Sequence, residues 1–204
     1  MTTPRCVVYY GQELPDQAAA RSLRDATVVL QTYHPLVRSA RYAAWFPHCR
    51  RFVYWNPTGV PGDVLATLDR QLRLADWDPT WRLARVDPRD EATREYVVQQ
   101  AVAALGTAAD VHGLYVDDLD RWAIRRQSVA RLVLAQVRAA AGREFHWVLN
   151  RGFGCWAAAL PRLHAVTLEG LAPPDVDALG PSDAAWVRRV VLPPVRRARR
   201  AGVR

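Results

Sequence analysis

VHGLYVDDLD, residues 111–120, is an apolar run that ends in three aspartates within four positions, Asp117, Asp118 and Asp120. A short stretch so rich in apolar, aromatic and β-branched side chains reads as a strand buried on both faces. Carboxylates crowded at its end repel one another and lose hydration when covered, so they need a wet, open place. A ring of parallel strands wrapped by helices supplies one, because its strands open together onto a pocket at their C-terminal ends.

Outward from this stretch the same kind of run recurs. CVVYYG (6–11), TVVLQT (27–32), RRFVYW (50–55), WRLARVD (81–87), FHWVLN (145–150) and HAVTLE (164–169) join it as seven predicted strands. Amphipathic stretches between them predict helices near 15–24, 35–46, 64–74, 91–105, 121–141 and 155–160, with a last one at 184–201. Such alternation is the pattern of repeated βα units. No glycine-rich phosphate or dinucleotide signature follows the first strand, which favours a barrel over an open sheet. The expected fold is therefore α/β, a (β/α)8 TIM-barrel-like domain over residues 1–204 with an Arg-rich C-terminal helix or tail at 184–204. Two readings of its end stay open: truncation before strand eight, which is preferred, or VRRVVL (187–192) as strand eight itself.

Charge is distributed unevenly. The chain has 28 basic residues, all arginine, against 20 acids, for a net charge of +8. Seven arginines, at 188, 189, 196, 197, 199, 200 and 204, follow the last acid, and the remaining 21 nearly balance the 20 acids. The basicity is that of a solvated tail; no nucleic-acid-binding motif accompanies it, and nucleic acid is not the expected partner. Half of the residues are hydrophobic, as in a folded globular protein. Cys6, Cys49 and Cys155 are odd in number and widely spaced, so neither a disulfide framework nor a zinc site is expected. No stretch approaches the roughly 18 apolar residues of a membrane span. The five-residue apolar stretch before Gly11 is too short for a signal peptide, which makes a cytoplasmic location the expectation.

The predicted strand ends carry Tyr10, Thr32, Asn56, Asp87, Asp117 with Asp118, Asn150 and Glu169. Some have local explanations: Asp87 before Pro88 opens a turn or caps a helix, Asp120 caps the helix after it, and Asn150 before Arg151 and Gly152 is a turn residue. Asp117 and Glu169 each end an apolar strand directly and are the candidate catalytic pair. Two carboxyl groups across a pocket are what glycosidic cleavage needs, one to protonate the leaving oxygen and one to attack or activate water. Tyr10, Asn56, Asp87, Asp118, Asp120 and Asn150 are the candidate substrate contacts. Aromatic residues near strand ends, among them Tyr54, Trp77, Trp81 and Trp122, suit the apolar face of a sugar. No cofactor motif is present and none is expected. A metal site built on the aspartates is the weaker reading, because none of the five histidines stands at a strand's C-terminal end.

In this order, YYG, RRFVYW, WRLARVD, GLYVDDLD, VLNRG and VTLEG resemble the barrel glycoside hydrolases of the endo-α-1,4-polygalactosaminidase type (family 114). They are also similar to the related hydrolase domains that process the galactosamine-rich Pel polysaccharide. The similarity runs over residues 6–170, and GLYVDDLD is its most specific element, matching a G-(apolar)-F-L-D-x-L-D strand. It implies that Asp117 and Glu169 are the catalytic pair and that Tyr10, Asp120 and Asn150 line the cleft. The expected activity is hydrolysis of a galactosamine-containing polysaccharide; enzymes of this kind are usually exported. Where they carry an acid after strand three, this chain has YWNPTG. That departure keeps a second reading open, a catalytically inactive carbohydrate-binding barrel, and the Arg-rich tail supports a third, a binder of nucleic acid or anionic surfaces.

Overall fold

The computed structural model describes residues 6–9, 16–39, 41–68, 72–107, 110–119, 122, 127–152, 155–159, 162–167 and 187–203. In chain order the strands are β1 (Cys6–Tyr9), β2 (Thr27–Leu30), β3 (Arg50–Trp55), β4 (Gly59–Pro61), β5 (Leu74–Asp78), β6 (Leu83–Val86), β7 (Gly113–Val116), β8 (His146–Asn150) and β9 (Leu163–Thr167). Six of them, in the order β1-β2-β3-β7-β8-β9, form one parallel sheet.

That sheet is curled into part of a barrel. On a flat sheet β2 and β9, four spacings apart, would stand about 19 Å from each other. Instead Thr27 Oγ1 lies 3.4 Å from His164 Nε2, and the His164 ring stacks on Phe52 with centroids 5.4 Å apart. His164 reaches inward because β9 is bulged: Trp147 pairs with Leu163 and Val148 with Ala165, so one residue of β9 is extra.

Alternation along each strand sorts its side chains. Val8, Val29, Phe52, Tyr115, Val148 and Ala165, one from each strand, pack together on the inner face. Their neighbours Val28, Leu30, Val53, Trp55, Leu114, Val116, Trp147 and Leu149 belong to the larger core between sheet and helices. Burial on both faces explains why these strands read as nearly continuous apolar runs.

The helices are α1 (Gln17–Ser22), α2 (Pro35–Arg38), α3 (Tyr42–Trp45), α4 (Gly62–Ala66), α5 (Glu91–Gly106), α6 (Gln127–Ala140), α7 (Trp156–Ala159) and α8 (Leu192–Arg200). Asp90 caps α5 by accepting from the Thr93 N–H at 2.9 Å. The expected single helix at 35–46 is divided into α2 and α3. None of the helices among the described residues is long and apolar enough to cross a membrane.

Two sequence expectations are corrected here. WRLARVD is not a parallel stave of the barrel. It supplies β6, the centre of a separate antiparallel sheet in the order β4-β6-β5, and β3 pairs directly with β7. Only residues 79–82 separate β5 from β6, a link long enough for a hairpin but far too short for a parallel crossover. The helix expected over 64–74 is accordingly short, and its last residue opens β5, whose backbone groups find partners on β6. VRRVVL is not strand eight either: Val187–Val191 form a π-helical turn that leads into α8. Among the described residues, the six parallel strands form a curled part-barrel, consistent with a truncated (β/α)8 architecture.

Candidate active site

β7 hands its aspartates to the rim. Asp117 Oδ2 accepts a hydrogen bond from the Tyr54 hydroxyl at 2.6 Å, and Oδ1 accepts from Asn150 Nδ2 at 2.7 Å and from the Asp118 backbone N–H at 2.9 Å. The donors come from the strands on either side, β3 and β8, so parallel pairing itself brings them together. Asn150 is turned by a further partner: its Oδ1 accepts from Thr167 Oγ1 at 3.1 Å, and Thr167 Oγ1 lies 3.2 Å from the Tyr115 hydroxyl. The Tyr54 and Tyr115 rings stack with centroids 6.0 Å apart. A carboxylate held by side chains of the two flanking strands and by the backbone N–H that follows it is fixed in orientation without help from a ligand.

The chain leaves the rim through left-handed residues. Asp118 has φ of +54°, and after β8 Arg151 and Gly152 have +56° and +60°. For a residue with a Cβ this conformation costs roughly 1–3 kcal/mol and persists only where its surroundings enforce it. Around Asp118 the enforcing groups are visible. Its Oδ2 accepts from Asn56 Nδ2 at 3.2 Å and from Arg85 Nη1 at 2.9 Å. Asn56 is braced in turn by the Thr58 N–H and hydroxyl, at 2.9 and 3.0 Å. Arg85, on β6, also donates to Asp78 Oδ2 at 2.5 Å and to Thr58 Oγ1 at 3.2 Å. Desolvation pulls the Arg85 guanidinium pKa down, but the hydrogen bonds and charges of Asp78 and Asp118 outweigh it and hold the pKa above its usual value.

The structure thus gathers Asn56, Asp117, Asp118 and Asn150 into one network. Asp87 ends β6 in the small sheet, where its buried carboxylate is engaged by Arg89 and lies 3.6 Å from Arg73. Its Oδ1 accepts the Arg89 backbone N–H, so it builds the turn before α5, while Asp90 caps the helix. Tyr10, Asp120 and Glu169 lie outside the described residues; Thr167, at the end of β9, stands two positions before Glu169. Among the described residues, no group of three or more His, Cys, Asp or Glu side chains is arranged to hold a metal ion.

Sequence reasoning missed Tyr115, Thr167, Thr58, Asp78 and Arg85. For the first two a signal exists: each lies two positions before an acid that ends a strand predicted from the sequence, 115 before 117 and 167 before 169, and a two-residue period predicts a shared face. Arg85 carries no such signal, because its partners depend on a sheet that was not foreseen.

Comparison with protein-family models finds no match, and neither does comparison with curated protein sequences. Solved structures do match. The glycoside hydrolase domain of PelA from Pseudomonas aeruginosa superposes with a TM-score of 0.71 at 19% identity, over 98% of this chain and 81% of that one. The chain has the fold of a barrel glycoside hydrolase. Aspergillus fumigatus Ega3, solved in complex with galactosamine, matches with a TM-score of 0.55 at 12% identity, over 81% of this chain and 65% of that one. An α-galactosidase from Thermus thermophilus matches with a TM-score of 0.52 at 17% identity, over 80% of this chain and 40% of that one. The resemblance drawn from the sequence therefore extends to the three-dimensional fold of these glycosidase-type barrels.

Proposed function

We propose that this protein is a glycoside hydrolase that cleaves a galactosamine-containing polysaccharide, with Asp117 and Glu169 as its carboxylate pair. The observation that carries the reading is the Asp117 constellation: a strand-end carboxylate on the rim of a glycosidase-type barrel, held by Tyr54, Asn150 and the Asp118 N–H. In the reaction one carboxylic acid protonates the glycosidic oxygen as the bond to the anomeric carbon breaks, while the other carboxylate attacks that carbon or takes a proton from the attacking water. A separation of about 5–5.5 Å between the two carboxyl groups goes with retention and about 6.5–9.5 Å with inversion. Trp77 and Trp81, exposed on the β5–β6 hairpin, offer faces for sugar rings.

Reducing ends released from partially deacetylated galactosaminoglycan test the reading. Turnover is expected for the native chain, and Asp117→Asn and Glu169→Gln should each lower kcat by about a thousandfold or more while the polymer still binds. A second reading is favoured by one observation: Asn56 occupies the rim after β3 where related enzymes carry an acid, and its side chain is spent on Asp118 and Thr58. Polymer binding with no release of reducing ends by the native chain would establish that reading, an inactive carbohydrate-binding barrel.

A further inference from the structure

We propose that Arg85 is a positioning residue for Asp117, acting through Asp118. The inference rests on the hydrolase reading for its kinetic consequence but not for its geometry. Asp118 occupies the variable position of the G-(apolar)-F-L-D-x-L-D strand, and nothing in that pattern demands an acid there. Yet its carboxylate is paired with a guanidinium whose side chain is 6% exposed, and its own side chain is 20% exposed. So little exposure limits screening by solvent and salt, which makes this pair a stiff link.

The link joins the barrel to the antiparallel sheet beside it. Arg85 is anchored on β6 of the antiparallel sheet, where its Nη2 donates to Asp78 of β5 and its Nη1 also donates to Thr58. Asp118 lies two residues past the end of β7 of the barrel. With Asp118 clamped at φ +54°, its backbone N–H donates to Asp117 Oδ1. Without the guanidinium the Asn56 bond to Asp118 remains, but the 117–118 peptide can turn, taking φ of Asp118 toward negative values together with a change in ψ of Asp117, and that N–H then swings away from the carboxylate it now fixes. The Tyr54 and Asn150 hydrogen bonds would remain, so the effect is a misaligned and less stabilised Asp117 rather than a collapsed rim. The antiparallel sheet is on this account the brace of the candidate catalytic carboxylate.

The test compares Arg85→Gln, Arg85→Lys, Asp118→Asn and the Arg85→Gln/Asp118→Asn double variant, each in the full chain. On the polysaccharide, Arg85→Gln should lower kcat by about 10- to 100-fold with KM changed less than about twofold. Arg85→Lys should restore part of the rate. The double variant should be no worse than the worse single one, since both break the same link. A kcat equal to that of the native chain in Arg85→Gln, or fully additive losses in the double variant, would overturn the proposal. Should Arg85→Gln not fold, Asp118→Asn supplies the same reading, since it keeps the shape of the side chain but offers Arg85 no carboxylate. The Asp118 backbone amide, followed by NMR, separates this inference from the hydrolase reading. A changed chemical shift and faster hydrogen exchange of that N–H in either variant support the positioning role even in a chain that cleaves nothing, and an unchanged amide refutes it even in an active one.

Discussion

At the scale of single residues, the rim is organised by hydrogen-bond direction. Asp117 receives bonds from a phenol, an amide and a backbone N–H, supplied by three different stretches of chain. A hydrogen bond to a charged group contributes about 1.5–3 kcal/mol, which sets the scale for losing one of them. Tyr54→Phe keeps the ring stacked on Tyr115 and removes only the hydroxyl, so kcat/KM should fall by about 10- to 100-fold with the melting temperature little changed. Steady-state kinetics beside a thermal melt checks this; an equal fall in both stability and rate would mean that Tyr54 is a packing residue. The cysteines take no part in this chemistry. Cys155 is buried, and that burial pushes its thiol pKa up to about 12, so it is an inert core group.

At the scale of elements, β7 is the stave on which the site depends, and its first residue is a glycine for a steric reason. A Cβ at Gly113 would lie 1.8 Å from the His146 carbonyl oxygen of β8, well inside van der Waals contact with backbone that cannot move without breaking the ladder. Gly113→Ala should therefore cost about 3 kcal/mol and loosen the β7–β8 register, read as a lower urea midpoint. The neighbouring His112 joins β7 to β3 by accepting the Arg51 N–H at Nδ1, which requires the ring nitrogen to be unprotonated. Desolvation first, then Arg51 and Arg50, push its pKa below the ordinary value of 6.5. A folded pKa below the unfolded one stabilises the protein above the unfolded value, and that contribution is lost as pH falls through the folded one. Unfolding free energy should thus decline on acidification below about pH 6.5, and His112→Asn should flatten this part of the profile.

At the scale of the whole molecule, a net charge of +8 stands against an acidic rim. Part of the excess lies on α8, where Arg196, Arg197, Arg199 and Arg200 are exposed while Ala198 is buried. On the proposed function, a cationic polymer at the cleft feels most strongly the charges within about 8–10 Å, the Debye length near physiological salt, and Asp117 and Asp118 are among them. Cleavage of the partially deacetylated polymer should accordingly slow as salt is raised from low ionic strength, while a fully acetylated polymer should be nearly insensitive. Acceleration by salt would mean that the tail's repulsion dominates.

Strand identity, side-chain alternation and the delivery of Asp117 to a strand end are all legible in the sequence, because a two-residue period and a run of β-branched and aromatic residues are local properties. GLYVDD says as much without reference to anything distant. WRLARVD has the same local look and was assigned to the barrel, yet the hairpin link at 79–82 turns it into a separate sheet and leaves β3 beside β7. Which strands are neighbours is decided by chain closure and by hydrogen bonding between segments tens of residues apart, and no window of sequence contains that information. For the same reason the strand-end position of Asp117 is legible in the sequence alone, whereas the Arg85–Asp118 clamp beside it exists only once two sheets have met.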